Sequence, residues 1–75
     1  MKYQVLKPCA LLVWVPSDGI GSESPLPLNP GDTFTSGAVF GTEIELELDY
    51  RDLAVVCYAN QLNDLLVDGR VEVCP

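Results

Sequence analysis

The stretch that decides the fold is Glu43–Leu48, EIELEL. Its period is two. Ile44, Leu46 and Leu48 point one way and Glu43, Glu45 and Glu47 the other, which is the pattern of a strand with one buried and one wet face. A helix would scatter both sets around its axis. A sheet is therefore present, and its other strands lie on either side in the chain. Upstream, Tyr3–Lys7 alternates and stops at Pro8. Ala10–Val15, ALLVWV, is a continuous apolar run held between Pro8 and Pro16, and its length suits a buried strand. Thr33–Thr35 and the short apolar piece Ala38–Phe40 precede EIELEL, bracketed by Ser36-Gly37 and Gly41-Thr42. Downstream, Arg70–Cys74 alternates as a last strand.

One helix is expected. Tyr58, Leu62, Leu65 and Leu66 fall at i, i+4, i+7 and i+8. Asp68-Gly69 ends it, with glycine at the left-handed position. Its start is less determined. Asp49 and Asp52 have N-cap and N3 spacing, which favours a helix from Tyr50. Leu53–Cys57 is β-branched and lies off the apolar stripe, which favours a short strand or irregular piece there, with the helix after it.

Residues 16–31, PSDGIGSESPLPLNPG, break the pattern. Prolines and glycines at this density exclude a helix or a central strand. The segment reads as a long loop or arm, and loops of this length in compact domains are usually functional or disordered. Ser17-Asp18-Gly19 is turn chemistry. Pro25-Leu26-Pro27-Leu28 favours stiff, extended polyproline II. Pro30-Gly31-Asp32 turns the chain into the next strand. Leu26 and Leu28 either fold back as a lid on their own core or dock on another chain.

The expected architecture is a single α+β domain spanning 1–75. It is a small, bent antiparallel sheet or partial barrel of four to five strands, covered by the C-terminal helix. The expected core is Val5, Leu11, Val13, Ile44, Leu46, Leu48, Val55, Leu62, Leu65, Leu66, Val71 and Val73, with Trp14 also read as buried. A chain of 75 residues buries only roughly 60% of its unfolded surface, so a partner or a homo-oligomer interface would add to a thin margin.

Charge narrows the function. Eleven acids against four bases give −7. Lys2, Lys7, Arg51 and Arg70 are scattered and form no patch for nucleic-acid phosphates or an anionic membrane. A basic protein partner fits. No histidine is present, which removes the commonest general base and metal ligand. Cys9, Cys57 and Cys74 lack metal-ligand spacing and lack a flanking base to activate them. They read as reduced thiols, with a Cys9–Cys74 bridge open if the terminal strands pair. Gly19-x-Gly21 opens no helix, so it is no phosphate loop. Asp18–Glu23 lacks the spaced oxygens of a calcium loop. Three equivalent carboxylates at Glu43, Glu45 and Glu47 on an open face have nothing to push their pKa values apart for acid–base work. The expectation is a protein with no catalytic residues, cofactor or metal, made in the cytoplasm without a secretion signal. Its contact residues would be Pro25, Leu26, Pro27 and Leu28, together with the three glutamates.

Val5-Leu6-Lys7-Pro8, Pro30-Gly31-Asp32 and Leu65-Leu66 with Asp68-Gly69-Arg70-Val71-Glu72-Val73 together resemble very short structural proteins of tailed bacteriophages. The resemblance covers about a third of the chain by length; the proline-rich segment and EIELEL lie outside it. It implies a virion component, of the capsid-associated, cement or decoration type, whose partner is a capsid or other virion protein. Two other readings stay open. One is a small acidic inhibitor that mimics nucleic acid and blocks a DNA-binding host protein. The other is an adaptor domain in a larger assembly.

Overall fold

The computed structural model describes residues 1–17 and 22–74. Asp18 and Gly19 of the Ser17-Asp18-Gly19 turn, all of Gly19-x-Gly21 and part of the Asp18–Glu23 stretch fall outside them. The elements are β1 (Lys2–Val5), β2 (Cys9–Trp14), β3 (Ser24–Leu28), β4 (Thr33–Phe40), β5 (Glu43–Leu48), β6 (Leu53–Tyr58), α1 (Ala59–Val67) and β7 (Val71–Val73). The strands form one antiparallel sheet in the order β3-β2-β6-β5-β4-β1-β7. The α+β architecture with one C-terminal helix is as expected, but the described residues hold seven strands rather than four to five. Leu53–Tyr58 is a strand, and the helix follows it directly.

The added strand is β3, inside the segment expected as a polyproline arm. Leu26 and Leu28 pair with Leu11 and Cys9, while Pro25 and Pro27 lie opposite Leu12 and Ala10. Successive residues of a strand turn their N–H groups to opposite sides. Alternating prolines therefore put both missing donors on one side, away from β2, and β3 occupies the end of the sheet. The leucines then face inward. Asn29-Pro30-Gly31-Asp32 is a tight turn: the Asp32 N–H donates to Asn29 C=O at 3.0 Å, and Gly31 takes a φ of 94°.

Chain connectivity forces the sheet to bend. β1 and β2 are four strand spacings apart in the order, about 19 Å if the sheet were flat. Only Leu6, Lys7 and Pro8 join them, and that link spans at most about 14 Å. The concave side so formed holds the core. Nine of the twelve expected core residues are buried in it, with Leu65 and Leu66 half-buried against it. Val73 is exposed, at the end of a three-residue edge strand. Tyr3, Leu26, Leu28, Phe34 and Cys57 join the core as well. Tyr3 stacks on Phe34, its direct cross-strand partner, with ring centroids 5.2 Å apart.

Helix α1 begins without a side-chain cap. The Ala59 N–H donates instead to Thr42 C=O in the β4–β5 turn, at 2.8 Å. At its other end Gly69, at φ 72°, lets Gly69 N–H reach Leu66 C=O and Arg70 N–H reach Leu65 C=O. Gln61 on this helix ties it to β2. Its side-chain carbonyl accepts from Leu12 N–H at 2.9 Å, and its amide donates to Leu12 C=O at 3.4 Å. Leu12 lies opposite Pro25, so its backbone groups face away from β3, where β6 has given way to the helix. The glutamine amide supplies the missing rung of the ladder.

Candidate functional site: the outer face of the sheet

The inward alternation of β5 leaves its glutamates on the convex face. Glu43 lies opposite Phe40 on β4 and Tyr58 on β6. Glu45 lies opposite Val56. Glu47 lies between Thr35 and Ala54. Glu43 and Glu45 are half-buried and Glu47 is exposed. The Glu45 carboxylate leans over the bulge between Ser36 and Val39, so close that a Cβ on Gly37 would sit 3.1 Å from its Oε1.

The next acid along the chain is treated differently. Asp49 accepts from the Thr33 hydroxyl at 2.9 Å and pairs with Lys2 at 3.6 Å. Lys2–Asp49 is the one ion pair among the described residues. Among the described residues Glu43, Glu45 and Glu47 form no ion pair; the nearest cation in the cross-strand rows is Lys2, which lies two strands from Glu47 and is paired with Asp49.

Apolar groups frame the carboxylates. Phe40 is 58% exposed at the β4–β5 tip, where Gly41 takes a φ of 64°, and shares the face of Glu43; its neighbour Val39 lies opposite Ile44 and so projects to the other face. Leu12 is 43% exposed on the same convex side. Trp14 is buried as expected, but on this outer side rather than in the main core, and packs edge-on against Tyr58 at 5.2 Å. Beside Tyr58 a pocket of about 210 Å³ opens between Thr42, Ala59 and Asn60.

The expected contact residues divide. Leu26 and Leu28 are 7% and 1% exposed, in the chain's own core. They are the lid, and a docking arm built on them does not fit this fold. Replacing both with serine would remove core rather than contact, since truncating one buried leucine costs about 2–5 kcal/mol. Pro25 and Pro27 are exposed at the sheet edge, apart from the glutamate row. Sequence reasoning does not pick out Phe40 and Tyr58 as neighbours of Glu43. A signal for Phe40 is there, since the two-residue turn Gly41-Thr42 sets Phe40 opposite Glu43.

The cysteines are free. The terminal strands β1 and β7 do pair, but Cys9 lies on β2, which is not a neighbour of β7. The fold does bring Arg70 near Cys9. Burial raises the Cys9 pKa and Arg70 pulls it back in part, so the net direction is upward and the thiol is not activated. Among the described residues no group of three or more His, Cys, Asp or Glu is placed to hold a metal ion, and no helix is long and apolar enough to cross a membrane.

No protein-family model, curated protein or solved structure matches this chain.

Proposed function

We propose that this protein is a non-enzymatic structural interaction protein that docks the acidic outer face of its sheet on a basic protein surface. One observation carries the reading. Three carboxylates stand in a row on β5, form no ion pair among the described residues, and share their face with the exposed apolar side chains of Phe40 and Leu12. A face that served only solubility would not need Phe40 and Leu12 exposed on the same side as the charge; exposed apolar groups with a polar rim mark interaction surfaces. The resemblance to short tailed-phage proteins makes the partner a capsid or other virion protein, and the activity cementing or decoration. Repetition on a lattice would add avidity to a weak single contact. The contact differs from a proline-arm contact, because the leucines of that segment are consumed by the core.

The test is capture from native lysate on immobilised protein, comparing the parent with the triple variant Glu43→Gln, Glu45→Gln, Glu47→Gln. The parent retains a basic particle protein and the variant releases it. Equal retention by both would sink the reading. The acidic row also admits nucleic-acid mimicry. A captured nuclease, polymerase or repressor that washes off steeply with salt would favour that reading instead.

A further inference from the structure

We infer that Phe40, Glu43 and Tyr58 form a seat for an arginine side chain of the basic partner. The inference rests on the docking reading above and names the partner group that the face selects. Phe40 on β4 and Tyr58 on β6 each lie directly opposite Glu43 on the strand between them. Direct cross-strand neighbours bring their Cβ atoms to about 4.5–5.5 Å, so the two rings flank one carboxylate. The carboxylate supplies a bidentate acceptor for a guanidinium. The rings supply π faces on which the flat cation stacks.

The seat is open and firmly built. Phe40 is largely exposed. Tyr58 is held by its edge contact with Trp14, and the backbone beside it is fixed by the Ala59 N–H bond to Thr42 C=O. A pocket lined by Thr42, Tyr58, Ala59 and Asn60 shares Tyr58 with the seat. Charge fixes the occupant. The row carries three carboxylates that form no ion pair among the described residues. A second copy of a chain with net charge −7 would bring repulsion rather than neutralisation. An extended partner with arginine at every second position matches the row, because both strands repeat side chains at the same two-residue step.

The probe is the peptide acetyl-Arg-Ser-Arg-Ser-Arg-amide, titrated into the labelled protein by NMR beside its lysine counterpart. The arginine peptide is expected to bind about two- to fivefold more tightly than the lysine peptide, the span of an exposed cation–π contact. The largest shifts should fall at Phe40, Glu43, Tyr58 and Ala59. Phe40→Ala, at an exposed position, removes one of the two rings and should narrow the arginine preference, weakening the arginine peptide more than the lysine peptide. Glu43→Gln should weaken both peptides. Equal affinity for the two peptides on the parent, or an arginine preference that Phe40→Ala leaves undiminished, overturns the seat. In that event, loss of binding in the triple glutamine variant would still uphold the acidic face. Absence of shifts on the face with either peptide overturns the seat and the docking reading together.

Discussion

Cys57 is the least accessible ionisable group among the described residues. It is 0% exposed, lies opposite Val13 and Ile44, and its thiol pKa is pushed up to about 11 by burial alone. A thiolate is the reactive form, so Cys57 should be inert to a thiol reagent at pH 8 until the protein unfolds. Cys9 and Cys74, both half-buried, should react first. The same shift sets a pH dependence. The folded state holds the Cys57 proton more tightly than the unfolded state, so its contribution is complete below the ordinary thiol value of 9.0 and is lost as pH rises toward 11. Cys9 and Tyr50 shift the same way, also chiefly through burial. Thermal melts between pH 8 and 11 should therefore show a falling midpoint, with a shallower fall in Cys57→Ala. An identical slope in that variant would show that Cys57 does not set the pH dependence. Single residues are also where the sequence is hardest to read. Phe34 is wholly buried, but its threonine neighbours hide it. Val73 alternates as a core residue should, yet lies beyond the reach of the core at a strand end.

The elements show how a short chain manages its sheet edges. An exposed edge is a template for pairing with another chain. On β3 the outward positions 25 and 27 are both proline, so that edge presents carbonyls and no donor between Ser24 and Leu28. Replacing both with valine would keep the strand and restore two outward N–H groups. Pro25→Val with Pro27→Val should fold, but self-associate with rising concentration, as read by light scattering. A variant that stays monomeric would show that the prolines do not guard the edge. This element explains the uneven legibility of the sequence. EIELEL, the helix stripe and the Asp68-Gly69 stop are readable because each rests on local periodicity or local backbone preference. β3 is not, because its prolines are acceptable only at the end of a sheet, and strand order is not a local property. The same holds for the seat around Glu43. Phe40 follows from a two-residue turn, whereas Tyr58 reaches the row only through the pairing of β5 with β6.

At the scale of the whole molecule, the acidic face opposes the fold that carries it. Like charges on alternate residues of one strand stand about 6.8 Å apart. Here they lie within a chain of net charge −7 and form no ion pair among the described residues. Such self-repulsion destabilises the compact state. If the row is kept for docking, removing its charge should stabilise the protein while abolishing capture. The triple glutamine variant should melt higher than the parent at low salt, by about 4–8 °C for each kcal/mol relieved in a domain of this size. Salt separates this from a packing effect. The screening length falls from about 30 Å at 0.01 M to about 3 Å at 1 M, so the gap between variant and parent should close across that range. A gap that persists in 1 M salt would trace to altered packing, and a variant that melts lower at every salt concentration would make the glutamates structural. A higher melting point joined to lost capture is the signature of a surface held against the interest of the fold, and it would locate the function on β5 whatever the partner proves to be.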